Sequence, residues 1–161
     1  MNKRLPLLLV LVALLAILGL SLSACSAPET HTDRTGLRPY TPADTTANLR
    51  ISFPKFVTAE VRDGYEYALA HPQVLQYLPC YCGCGLNQTH RNNLDCFVAG
   101  VAPDGTVRFD DHASYCDICL QIARDAKRLT EEGKTLAQVR AYVDQAHGEK
   151  GPGTDTPWPP Q

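Results

Sequence analysis

The sequence predicts a mainly α-helical small domain with one β-hairpin and a cysteine cluster at a helix N-terminus, between a flexible N-terminal tether and a C-terminal tail. Three observations predict it. Apolar residues recur at helical spacing in residues 59–70, 114–132 and 135–148, a single strand–turn–strand pattern occupies 97–109, and six cysteines fall in two groups that bracket the hairpin.

The chain opens with a segment of a different kind. Lys3 and Arg4 precede an apolar run over residues 5–20, and Leu22, Ser23, Ala24 and Cys25 follow as small residues leading to a cysteine. A run of 16 residues is short for a membrane span and ends at a cleavage-like site. The pattern is the lipobox of bacterial lipoproteins, so residues 1–24 are expected to be a signal peptide and Cys25 the lipidated residue. The expected partner is then the membrane, reached through that lipid, with the chain on the extracytoplasmic face of the cell membrane. Residues 25–55, rich in Thr, Pro and Ala and without apolar periodicity, read as a disordered tether, with His31 solvated.

The domain is expected over 56–148, with order beginning near Phe56. Thr58 is a helix N-cap, Glu60 sits in the first turn, and Val61, Tyr65, Ala68 and Leu69 mark the buried face of a helix over 59–70. His71 and Pro72 interrupt it, His71 capping a second short helix over 72–78 that Val74, Leu75 and Leu78 bury and Pro79 ends. Residues 85–96 form a polar loop. A hairpin follows, with strands at 97–101 and 106–109 around Ala102, Pro103, Asp104 and Gly105.

Ser114 is the expected N-cap of a helix to about Glu132, with Tyr115, Ile118, Ile122, Ala126 and Leu129 on one face and Gly133 as its stop. Thr135 and Gln138 have capping-box spacing, opening a last amphipathic helix that ends at Gly148, where His147 decorates the helix end. The tail 149–161 reads as unstructured, with local docking open to Trp158.

Charge limits function. The whole chain carries 15 basic and 17 acidic residues; without Lys3 and Arg4 the balance is 13 against 17, a net of −4. A mildly acidic chain with no basic cluster offers nothing to nucleic acid. No Ser/His/Asp triad, phosphate loop or HExxH pattern is present, so hydrolase and nucleotide readings have no residues to rest on.

The cysteines carry the chemistry. Cys80, Cys82 and Cys84 alternate with Tyr81 and Gly83, and two glycines, Gly83 and Gly85, let the backbone fold so that the sulfurs converge. Cysteines at i, i+2 bridge each other poorly and suit a soft metal or exchange with distant thiols. Cys96 follows His90, and His112 precedes Cys116 and Cys119 at the start of a helix, whose positive N-terminal end favours thiolates. Asp110 and Asp111 beside His112 can accept one ring proton and turn the other nitrogen toward a metal. Cys-Asp-Ile-Cys lacks the Gly-Pro pair of thioredoxins, and no βαβ pattern precedes it.

Residues 79–84 read PCYCGC. With His90, Asn93 to Cys96, Asp110 to His112 and the Cys116/Cys119 pair, residues 55–147 resemble the bacterial PCYCGC-motif lipoproteins, the CYCXC family. Relatives of that kind include selenoproteins, so the resemblance implies reactive thiols rather than inert bridges.

Three readings follow. In the first, Cys80, Cys82, Cys84, Cys116 and Cys119 bind Cu(I) or Zn(II), completed by Cys96, His90 or His112, and a metal-donor protein is the implied partner. The single methionine argues against a chaperone that passes copper along thioethers. In the second, Cys116 attacks and Cys119 resolves in a thiol-disulfide oxidoreductase or redox sensor with a redox partner protein, the C-x-C-x-C group serving as relay. In the third, the six cysteines form three structural disulfides among 15 possible pairings.

Overall fold

The computed structural model describes residues 32–54 and 58–160. The signal segment, Cys25, His31 and the onset of order near Phe56 lie outside the described residues. Among the described residues five α-helices pack around one two-stranded hairpin.

Helix α1, Ala59–Ala70, begins where Thr58 Oγ1 accepts from the Val61 amide at 3.3 Å. Helix α2, Pro72–Leu75, is shorter than the expected 72–78. Its continuation tightens into bonds from Tyr77 N to Val74 O and from Leu78 N to Leu75 O, because Pro79 disfavours the α conformation at Leu78. His71 makes no side-chain cap; its ring stacks on Tyr67 at 4.6 Å. Inside the expected polar loop lie a one-turn helix α3, Cys84–Asn87, and a tight turn, Asn93–Cys96, capped by Asn92 Oδ1 accepting from the Asp95 amide.

Strands β1, Val98–Val101, and β2, Val107–Phe109, pair antiparallel, with Val101 opposite Val107 and a bulge between Val98 and Gly100. Helix α4, Asp117–Glu131, begins three residues beyond Ser114. Ser114 cannot cap it, because its Oγ lies 3.0 Å from Tyr65 Oη and residues His112–Ser114 form a separate 3-10 turn. Cys116 takes the N-cap position instead. Helix α5, Leu136–His147, opens with both arms of the capping box, Thr135 N to Gln138 Oε1 at 2.9 Å and Gln138 N to Thr135 Oγ1 at 3.3 Å. His147 is buried rather than decorative, its Nε2 held 3.0 Å from Asp125 Oδ2 on α4.

The core is sealed by Tyr65, Leu75, Leu78, Phe97, Ile122, Val139 and Val143, all fully buried. Each contributes about 1.5–3 kcal/mol on leaving water, and the edge-on Tyr65–Phe97 pair, with centroids 5.2 Å apart, adds roughly 1 kcal/mol.

The described parts of two segments expected to be disordered, residues 32–54 and 149–160, pack on this core. In the presumed tether, the Arg38 amide and carbonyl bond to Val101 on one side of the hairpin, while the Arg50 amide bonds to Gly105 O and its carbonyl accepts from Val107 on the other. A lone hairpin leaves both edges open and is marginal in water; these strands-in-part close them. Tyr40 is buried with its hydroxyl donating to Leu69 O. In the tail, Thr154 and Thr156 are buried, and Arg140 donates to Tyr77 O, Thr156 O and Pro157 O while its guanidinium lies 4.7 Å over the Trp158 ring. Tyr40, Leu49 and Phe53 of the first segment also pack on the core, Phe53 stacking on Phe109 at 5.1 Å, but these residues follow no period, so composition alone reads both segments as unstructured. No helix of the described residues is long and apolar enough to cross a membrane.

Candidate metal centre

The PCYCGC segment leaves α2 at Pro79 and turns through Gly83, whose φ of +83° is a left-handed conformation open to glycine at little cost. That turn aims Cys82 and Cys84 into different parts of one locus. Gly85 then lets the C-terminal segment approach; a Cβ there would stand 2.9 Å from Thr154 Cγ2.

The second group arrives at the start of α4, where Cys116 sits at the N-cap and Cys119 in the first turn. Cys96 comes from the tight turn before β1. Cys119 Sγ lies 2.9 Å from Cys80 Sγ, 3.3 Å from Cys96 Sγ and 3.6 Å from Cys82 Sγ. Cys80 and Cys82 are 3.3 Å apart, and Cys84 and Cys96 3.7 Å. His112 Nε2 stands 3.3 Å from Cys82 Sγ, and His90 Nδ1 3.4 Å from Cys96 Sγ.

The structure thus brings Cys80, Cys82, Cys84, Cys96, Cys116, Cys119, His90 and His112 into one region. They form three overlapping sets whose donor atoms lie within 4.8 Å of one another: Cys80, Cys84, Cys96 and Cys119; Cys82, His112, Cys116 and Cys119; and Cys84, His90, Cys96 and His112. All six thiols are free. A tetrahedral ion with sulfur at about 2.3 Å spaces its ligands roughly 3.8 Å apart, whereas a disulfide holds its sulfurs at about 2.05 Å. Two of the five sulfur–sulfur separations, 3.6 and 3.7 Å, lie near the first value, and the other three, 2.9–3.3 Å, fall between the two. Three structural bridges need three separate crosslinks, and the convergence of all six sulfurs on one locus argues against them.

Electrostatics distinguishes the thiols. At this spacing they cannot all ionise together. Cys119 donates into the cluster and so holds Cys84 and Cys116 low. Burial opposes ionisation of Cys96, but hydrogen bonds from Cys119 and Cys80 outweigh it. Cys119 itself, crowded by Cys116, Cys80 and Cys82, is pushed up. Burial also works against both imidazolium ions; for His90 it is outweighed by Asp110 and the Cys84 and Cys96 sulfurs, which push it up to about 11. For His112 the Cys116, Cys82 and Cys84 sulfurs push it up to about 12. A soft cation bound here would take the place of these shared protons as the charge that holds the sulfurs together.

The surrounding groups fix these side chains. Asp110 Oδ2 lies 3.3 Å from His90 Nε2, which leaves Nδ1 for Cys96 and the site. The sequence offers Asp110 and Asp111 to the His112 ring; in the structure Asp110 Oδ2 pairs with the His90 ring, while its Oδ1 accepts from the His112 backbone amide at 3.0 Å. Sequence reasoning missed Arg34 and Thr154 and gave Asn93 no role at the site. Arg34 donates to Asp110 Oδ2, Asp95 O and Ala99 O. Asn93 Nδ2 donates to Cys119 O at 3.2 Å, and the backbone and side chain of Thr154 bond both main-chain groups of Cys80. Arg34 and Thr154 lie in stretches without periodicity, and nothing in the sequence marks them.

Six thiols and two imidazoles gathered between a glycine turn and a helix N-terminus define a cysteine-cluster domain with the donor set of a soft-metal site. The chain belongs to the PCYCGC-motif family: the family model described as "Protein of unknown function with PCYCGC motif" matches residues 14–159. No curated protein and no solved structure matches the chain.

Proposed function

We propose that this protein binds or traffics a soft metal ion, Cu(I) or Zn(II), at the cysteine cluster while anchored by lipid at Cys25 on the extracytoplasmic face of the membrane. The observation that carries the metal reading is the convergence of eight sulfur and imidazole donors in three overlapping sets of four, the donor atoms of each set within 4.8 Å of one another. Thiolates match the polarisable Cu(I) and Zn(II) ions and discriminate against Mg(II) and Ca(II), which take oxygen. The anchor rests on Lys3, Arg4, the apolar run and the small residues before Cys25.

The test is elemental analysis of the anaerobically purified full chain beside a count of reducible thiols. Bound copper or zinc, with the six cluster cysteines titrating as thiols once the metal is stripped, supports the reading; metal-free protein sinks it. Replacing Cys25 by Ala releases the protein from the membrane fraction if the anchor is right.

A second reading has one observation in its favour. Cys116 is half-buried at a helix N-cap and held low by Cys119 and Cys82, the setting of an attacking thiolate with Cys119 to resolve it. Metal-free protein with a single labile disulfide supports this oxidoreductase or sensor reading instead.

A further inference from the structure

We propose that the cluster is a dinuclear centre in which Cys119 Sγ bridges two four-coordinate divalent ions, one sealed in the core and one exchangeable near the surface. The proposal rests on the metal-binding reading above and specifies its stoichiometry and dynamics.

Two of the donor sets hold four donors each, the number a tetrahedral ion takes, and share one residue. The inner set is Cys80, Cys84, Cys96 and Cys119, and the outer set is Cys82, His112, Cys116 and Cys119. A thiolate has lone pairs for two metals, whereas a neutral imidazole nitrogen has one. The residue common to both shells therefore has to be a cysteine, and it is. Cys119 also has the central position this role requires, with its sulfur 3.6 Å or less from sulfurs of both sets.

The third set does not add a third ion of the same kind. It needs His112, whose Nε2 faces Cys82 at 3.3 Å and serves the outer shell. His90 is left against Cys96, where its ring, held by Asp110, supports the charge of the inner thiolates.

Charge selects divalent ions. Six thiolates against two divalent cations leave −2 (six minus four), while two monovalent cations leave −4 (six minus two) in a largely buried site. Uncompensated buried charge is costly, so the divalent pair is favoured, and Zn(II) takes these ligands in tetrahedral geometry.

The two shells differ in access. All four inner ligands are buried, at 0–3% exposure, whereas Cys82, His112 and Cys116 of the outer shell are half-buried. Exchange of the inner ion requires the core to open; exchange of the outer ion requires only local motion.

The experiment titrates the full chain, purified in detergent, reduced and stripped of metal, with Zn(II) alone. Native mass spectrometry gives the stoichiometry and a chromogenic chelator the release kinetics. The expected result is two zinc ions per chain, released in two phases of equal amplitude. Cys116→Ser removes the fast phase and spares the slow one, and Cys119→Ser alters both. Cadmium-113 NMR of the wild-type chain needs no variant: two resonances are expected, one from a four-sulfur and one from a three-sulfur, one-nitrogen shell. One ion per chain, any stoichiometry other than two, or two ions leaving in a single phase overturns the proposal and leaves the metal reading standing. A chain that binds no zinc and no other soft metal overturns both.

Discussion

Asp110 Oδ2 stands 3.3 Å from His90 Nε2, and the same oxygen accepts from Arg34 Nη2 at 2.9 Å. One buried carboxylate thereby joins the N-terminal segment to an imidazole at the cysteine cluster. Its charge is opposed by burial but kept by His90, the His112 amide and Arg34, which hold it below the usual carboxylate range. Replacing Asp110 by Asn keeps the shape and removes that charge. Metal affinity is expected to fall about 10–100-fold, the range for losing a group that supports metal ligands, because His90 then faces the inner thiolates without its counter-charge; competition with a chelator of known affinity measures it. Unchanged affinity with a lowered Tm would make Asp110 a structural residue only.

Gly83 separates Cys82 from Cys84, which belong to different donor sets, and it does so at φ +83°. A Cβ at this position meets nothing within 4 Å, so the cost of Gly83→Ala is conformational alone. A left-handed backbone costs an L-residue about 1–2 kcal/mol. The variant is expected to lose that much in denaturant unfolding of the metal-free chain and to bind metal more weakly, because the relaxed turn moves one of the two sulfurs away. Gly105→Ala, also at positive φ but in the hairpin turn, is the control: its stability falls while metal affinity holds.

Asp44 provides a pH test away from the sulfurs. Its carboxylate accepts from Arg38 at 2.6 and 2.8 Å and, despite burial, from Thr41, and is held down to about 2. A depressed folded pKa contributes stability that is complete above the ordinary value of 3.8 and is lost as the pH falls through 2. Arg38 is half exposed, so the contribution is on the order of 1 kcal/mol. The difference in unfolding free energy between wild type and Asp44→Asn should be present at pH 6, shrink as the pH falls from 3.8 toward 2, and vanish below that. A difference independent of pH would refute the ion pair as its source.

The helices and the sulfur site were legible because each follows a short-range rule. Thr58 and the Thr135–Gln138 pair cap helices through bonds three residues apart, and the cysteine spacing by itself points to convergence. Ser114 misled for a physical reason: a hydroxyl that can cap a helix was taken by Tyr65, 49 residues away. Arg34 meets Asp110 across 76 residues and Thr154 meets Cys80 across 74. Such contacts leave no period in the sequence, so the segments that carry them look like tether and tail. The pairing of Asp110 with His90 rather than His112 depends on the turn between them and is likewise invisible until the chain is folded.

Thr154 connects these points, since it is the residue through which the C-terminal segment holds the motif. Its amide donates to Cys80 O and its Oγ1 accepts from the Cys80 amide, both at 3.0 Å, and the same hydroxyl lies 2.9 Å from Thr156 Oγ1. Thr154→Val preserves the shape but strips the acceptor from a fully buried Cys80 amide. An orphaned buried donor costs about 1–3 kcal/mol. The variant is expected to unfold at lower temperature by that margin. It should also release metal faster, because Cys80 loses one of the two bonds that hold its backbone. Thr156→Val removes the neighbouring hydroxyl, which donates to Arg91 O, without touching Cys80, and should lower stability while leaving the release rate alone. Equal release rates in the two variants would show that the strap acts on the fold and not on the sulfur site.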